Sequence, residues 1–243
     1  APSGLSCAGF GVSAVVTAAG PERYVELERA AGAVLRRLTC VALADGAPRA
    51  RLFGGFAFHP GAATSSGWSG FGDALLLLPR VTYVVSDGAG WLGIVRRGDE
   101  PLREWDAAAE RLAALDPPAR IELAPPAVRF VAAAVDDDDD LPRRLRAACS
   151  AADRGELGKV VVAHRLRLRA DSAPDVVSVL TRLVVENPSA TCFAFRVGER
   201  CFLGATPERL IARERRSIAA EALAGSAVRD AGVDPGSLLL SDK

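Results

Sequence analysis

One stretch late in the chain constrains the fold most. In T-C-F-A-F-R-V-G-E-R-C-F-L (191–203), β-prone residues run on both sides of Gly198-Glu199. Side chains along a strand alternate between two faces, and a glycine-containing pair between two such runs marks a tight antiparallel hairpin. Counting outward from the turn puts Phe193, Phe195 and Phe202 on one face and Cys201 opposite Arg196. Cys192 then lies four residues further along the strand, too far from Cys201 for a disulfide.

Other segments read the same way. Lys159–Arg169 (K-V-V-V-A-H-R-L-R-L-R) predicts a strand, with Lys159, Val161, Ala163, Arg165, Arg167 and Arg169 on one face. Val160, Val162, His164, Leu166 and Leu168 take the other. Gly9–Thr17 alternates loosely, and Trp91–Arg96 predicts a further strand. Arg51–Phe58 carries the pair Gly54-Gly55, which predicts a strand bent where two backbones approach closely. Asp73–Pro79 and Val81–Val85 predict a hairpin. Helices are expected from Pro21 onward (Tyr24, Leu27, Ala30, Ala31, Val34, Leu35, Leu38), at Leu102–Leu115, at Leu141–Ala152 and at Pro174–Asn187. The last would pack through Val176, Val177, Leu180 and either Leu183 or Val184. Many strands, few helices and mainly hairpin connections predict an antiparallel α+β architecture.

With 30 basic and 30 acidic groups, charge supplies no argument for nucleic acid or an anionic membrane as partner. No apolar run approaches the roughly 20 residues that span a bilayer, and the first residues lack the basic segment of a signal peptide. A cytoplasmic location is the resulting expectation. Five cysteines with no C-x-x-C pair read as free, mostly buried thiols, without zinc. The run Asp136–Asp140 reads as a solvated loop, because adjacent carboxylates repel and a flexible run does not converge on a cation.

No Walker A loop, G-x-S-x-G elbow or H-E-x-x-H pair is present. His164, beside Leu166 and Leu168, reads as a core or semi-buried histidine. Lys159 stands out: 28 of the 30 basic residues are arginine, and the only lysines are Lys159 and Lys243. Arginine keeps its proton, whereas a desolvated lysine can act as a base. A lysine snorkelling from a strand end is the bland alternative. Gly204-Ala-Thr-Pro-Glu-Arg-Leu210 carries Glu208 just after a strand, either a functional carboxylate or a surface partner of Arg209. Glu221-Ala-Leu-Ala-Gly-Ser-Ala227 is either a tight turn or a place where small residues let a ligand carboxylate reach backbone N–H groups.

In order and spacing, Gly158-K-V-V-V-A-H-R, F-L-G-A-T-P-E-R-L and E-A-L-A-G-S-A together resemble the chorismate-utilising enzymes, and the isochorismate synthase branch most closely. Weaker likeness extends upstream through Phe53-G-G-F-A-F and Leu78-P-R-V-T-Y-V. The resemblance implies one α+β domain of two large antiparallel sheets with helices packed outside. It implies chorismate as substrate, addition of water at C2, loss of the C4 hydroxyl and Mg²⁺ as cofactor. By position, Lys159 matches the general base and Glu208 the general acid, while Ala224, Gly225 and Ser226 match the segment lining the substrate site. Burial should then lower the pKa of Lys159 and raise that of Glu208. Ammonia-using relatives carry glutamine where Lys159 stands, and the serine form at Ser226 leans toward siderophore-type synthases.

Two positions depart from the family pattern, His164 where arginine is common and Asp230 where glycine is common. Ser241-Asp242-Lys243 resembles the start of the S-D-K-(D/E)-x-x-E-H helix, so the family's metal ligands would fall beyond Lys243. On that basis residues 1–243 are expected to be a partial chorismate-binding domain, truncated at the C-terminus and at the N-terminus, and inactive alone. When complete it would be a monomer, binding neither nucleic acid nor membrane. Salicylate synthase and a non-catalytic remnant are the competing readings, and the pathway is siderophore or menaquinone synthesis.

Overall fold

In the computed structural model the described residues are 4–42, 45–64, 67–86, 88–96, 98, 100, 110, 128–135, 140–163, 166–214 and 216–220. The chain divides into two compact units, Ala1–Ile121 with Leu180–Lys243, and Glu122–Val179. Among the described residues every strand pairing is antiparallel, and three helices accompany the strands, an α+β composition.

The first unit is built on one long bent ribbon. β1 (Ser6–Phe10) and β2 (Ala14–Ala18) run against β5 (Val81–Ser86) and β4 (Ala74–Leu78). Phe10 faces Val81 and Ala14 faces Leu78, so Gly11, Val12 and Ser13 stand opposite only Pro79 and Arg80. This three-against-two mismatch is a β-bulge, which bends a ribbon and increases its twist. Gly11 meets it with a φ of 62°, a left-handed value that glycine adopts without penalty. Hydrogen bonds continue across the bend, from Ser13 N–H to Leu78 O at 2.8 Å and from Arg80 N–H to Phe10 O at 3.0 Å.

The bend separates two three-stranded sheets, β1-β5-β6 with β6 at Ala89–Ile94, and β2-β4-β3 with β3 at Phe53–Phe56. The hairpin expected between 73–79 and 81–85 is therefore not formed. β4 and β5 are consecutive lengths of the same ribbon edge, and the hairpin is β5–β6. Alternation locates strands but does not choose their partners. The glycine pair behaves as expected: a Cβ on Gly54 would lie 1.8 Å from Leu75 O, so β3 and β4 pair only with glycine there.

Helix α1 (Arg23–Arg36) covers β2-β4-β3 with part of the predicted face: Leu27 and Ala31 are buried and Ala30 and Val34 half-buried, whereas Tyr24 and Leu35 are 50% and 40% exposed. Leu27, 2% exposed, packs with Val16 and Ala74, flanked by Ala18, Ala30, Val34 and Leu76. Full burial of one such leucine is worth about 2 kcal/mol. Buried Arg23 ties the first turn of α1 to the end of β3, donating to Gly20 O at 3.1 Å, Tyr24 Oη at 2.8 Å and Ala57 O at 3.3 Å.

Later in this unit β9 (Thr191–Val197) and β10 (Arg200–Thr206) form the hairpin around Gly198-Glu199, with Cys201 paired to Arg196 as counted from the sequence. Phe193 and Phe202 meet edge to face at 5.1 Å, Trp68 meets Phe202 at 5.0 Å, and Phe71 approaches Phe195 at 6.1 Å. A short hairpin of β11 (Ala212–Glu214) and β12 (Ser217–Ala219) follows.

The second unit pairs β7 (Phe130–Val135) with β8 (Leu166–Ala170) and holds α2 (Leu141–Asp153). The strand expected over 159–169 is regular only from Leu166; 159–163 is irregular. A strand needs a ladder partner, and among the described residues none lies beside 159–163. Asp140 is not merely solvated loop, because its carboxylate accepts from Arg143 N–H at 3.0 Å and caps α2. The unit boundary falls within α3 (Val176–Glu186); of the expected face Val176, Leu180 and Leu183, the first of the two alternatives, are half-buried, whereas Val177 is 67% exposed. All five cysteines are free, as expected, but none is buried. Of the helix expected at 102–115 only Glu110 is among the described residues, and it is helical; His164 and Asp230 lie outside them.

Candidate functional site

β10 runs directly into the segment G-A-T-P-E-R-L. Its Gly204 faces Phe193 across the hairpin, and a Cβ there would meet the Phe193 ring at 3.3 Å. The glycine thus lets an aromatic ring lie close against the strand. At the strand's end Thr206 closes a small turn: its Oγ1 accepts from the Glu208 N–H and donates to the Glu208 carbonyl, each at 3.3 Å. Pro207 between them has a ring-fixed φ and no N–H. Glu208 itself is exposed.

Lys159 belongs to the second unit, Glu208 to the first. Lys159 follows the turn that ends α2, where Gly155 has a φ of 70°. In that turn Arg154 Nε donates to Glu156 Oε1 at 2.6 Å and a second guanidinium N–H donates to Oε2 at 2.9 Å. This paired bond raises the Arg154 pKa and lowers that of Glu156, each partner holding the other's charged form. Lys159 is exposed. The burial expected of Lys159 and Glu208 is therefore absent, because irregular, solvated backbone carries both. Ala224, Gly225 and Ser226 lie outside the described residues.

Among the described residues no three of His, Cys, Asp and Glu converge as a cation site would require, so these residues do not fit Mg²⁺. The spacing G-x-G-x-x-G does occur, at Gly88, Gly90 and Gly93, but in the β5–β6 hairpin rather than in the strand-to-helix turn that binds a dinucleotide. Sequence reasoning missed Thr206. Its signal was available, since a threonine two residues before an N–H that it can bind is the spacing of a side-chain-closed turn. No helix among the described residues is long and apolar enough to cross a membrane.

Comparison with known proteins extends over nearly the whole chain. The salicylate biosynthesis isochorismate synthase of Pseudomonas aeruginosa is 32% identical over 220 residues, which is 86% of this chain and 44% of that protein. Isochorismate synthase MenF of Bacillus subtilis is 29% identical over 180 residues, 73% of this chain and 38% of that protein. The chain thus spans less than half the length of these curated relatives. Residues 2–237 match the family described as chorismate binding enzyme, and the chain belongs to that family.

Proposed function

We propose that this chain is the front portion of an isochorismate synthase, a partial chorismate-binding domain whose complete fold has two large antiparallel sheets with helices outside. The observation that carries the reading is Lys159, one of two lysines among 30 basic residues, in a chain whose relatives bear the name isochorismate synthase. In this reading Lys159 Nζ takes a proton from water as its oxygen bonds to C2 of chorismate. The ring double bonds shift, and the C4–O bond breaks as Glu208 gives its proton to the departing hydroxyl. One water enters and one leaves, so the reaction is an isomerisation. Ala224, Gly225 and Ser226 hold the substrate. Mg²⁺ is the cofactor this reading implies; it would supply charge neutralisation at a substrate carboxylate, and the described residues are not its ligands. Both transfers need water-poor surroundings, so the reading places the burial of Lys159 and Glu208 in the complete enzyme with chorismate bound. That enzyme is read as a cytoplasmic monomer.

The test is turnover of chorismate with Mg²⁺ by the complete gene product that contains this chain, with products identified by mass spectrometry. Isochorismate is expected, and Lys159→Ala should lower its formation at least about 100-fold, the scale of a lost general base. Salicylate with pyruvate as the product would replace this reading with salicylate synthase. Near-normal rates in Lys159→Ala would remove Lys159 as the base.

A further inference from the structure

Glu208 is exposed and follows a proline, yet one side chain fixes its backbone. Thr206 Oγ1 bonds both the N–H and the carbonyl of Glu208, at 3.3 Å each, and among the described residues Glu208 makes no other hydrogen bond. The strand behind Thr206 is itself anchored. Phe193 lies against Gly204, Phe193 and Phe202 meet edge to face at 5.1 Å, and Trp68 closes on Phe202 at 5.0 Å. Aromatic packing therefore sets the line of β10, Pro207 limits the next torsion, and the Thr206 hydroxyl settles the last turn before the carboxyl.

We propose that Thr206 is the positioning residue for Glu208: its hydroxyl holds the backbone turn from which the Glu208 side chain leaves, and so the place from which its carboxyl reaches the departing hydroxyl. This rests on Glu208 being the general acid of the proposed reaction. Proton transfer depends steeply on placement, and displacements near 1 Å can cost about 100-fold in rate. Freeing one hydroxyl-held turn allows a smaller mean displacement, so a loss of about tenfold is expected.

Two measurements test it. In the 243-residue chain, hydrogen exchange of the Glu208 amide should be about fivefold faster in Thr206→Val and Thr206→Ala, and unchanged in Thr206→Ser, the scale of one hydrogen bond. In the complete gene product, both hydroxyl-free variants should lower kcat for isochorismate about tenfold, with KM for chorismate within about twofold. Thr206→Ser should restore kcat to within about threefold. Valine keeps the β-branched shape and alanine removes it, so a shared loss reports the hydroxyl and not strand packing. Wild-type kcat in folded Thr206→Val, with Glu208→Gln inactive, overturns the positioning role and leaves the general acid in place. Full activity in Glu208→Gln overturns both.

Discussion

Gly54 and Gly55 stand side by side in β3, yet only one of them is required. A Cβ on Gly54 would press into the backbone of Leu75, 1.8 Å from its oxygen and 2.8 Å from its carbonyl carbon, and backbone cannot swing aside. Gly55 has no atom within 4 Å of such a Cβ and no left-handed φ. Gly54→Ala should therefore cost about 3 kcal/mol or more, beyond ordinary overpacking. Gly55→Ala should gain about 0.4–1 kcal/mol by restricting the unfolded chain. Urea unfolding of the two variants checks the opposite signs. Asp73 is a second position where one residue holds several segments. Its carboxylate accepts from Gly20 N–H at 2.9 Å and from Gly61 N–H at 2.8 Å. The bond from Gly20, then that from Gly61, then the charges of Arg23 and His59 hold its pKa below the ordinary aspartate value. A carboxyl depressed on folding stabilises above its unfolded pKa, near 3.9, and that contribution is lost as pH falls through the folded value. The melting temperature of wild type should exceed that of Asp73→Asn by a constant margin above about pH 5, and the margin should shrink below about pH 4. A margin independent of pH would remove the carboxylate as its source. The glycine pair was legible in the sequence as a close approach; which glycine makes it was not, because that depends on the register of β3 against β4.

Among elements, the hairpin β9–β10 and helix α1 were legible because each is specified locally. A glycine-containing two-residue turn sets the register of the hairpin, down to Cys201 against Arg196, and spacing of three and four sets the centre of the α1 face, Leu27, Ala30, Ala31 and Val34. The link from β4 to β5 was not legible, since a bulge and a hairpin use similar residues and only the distant strand 6–18 decides between them. Helix α2 shows how a local signal can be misread. Asp140 ends a run of five carboxylates, which suggested solvent alone, but its position one residue before Leu141-Pro142 makes it the cap. Leu145 is 43% exposed and Cys149 is exposed, so α2 draws little from packing and depends on its ends. Asp140→Ala should destabilise α2 by about 1 kcal/mol, while Asp140→Asn keeps an accepting oxygen and changes it little. Hydrogen exchange of the α2 amides reads this: about fivefold faster in the alanine variant, near wild type in the asparagine variant.

At the scale of the molecule, motifs identify the family, and the residues they single out fall in different units. Lys159 and Glu208 belong to different compact units, and the chain covers 44% and 38% of the two relatives' lengths. No single segment of sequence specifies the surroundings of either residue, so the burial expected of them could not be read from motifs. The sheet β1-β5-β6 bears on the same question. Phe10, Val81 and Ile94 are paired across it, as are Ala8, Tyr83 and Leu92, so they share one face. On that face Phe10, Tyr83 and Leu92 are 63%, 47% and 48% exposed. Apolar sheet faces of this kind lower solubility and contribute little stability until covered. If residues 1–243 are part of a larger catalytic domain, two properties should change together. The isolated chain should bind an apolar dye such as anilinonaphthalene sulfonate and form no isochorismate from chorismate and Mg²⁺. The complete gene product should bind far less dye per mole and turn chorismate over. Isochorismate formation by the isolated 243 residues at the rate of the complete product would show that they hold the whole catalytic site, and would overturn the partial-domain reading.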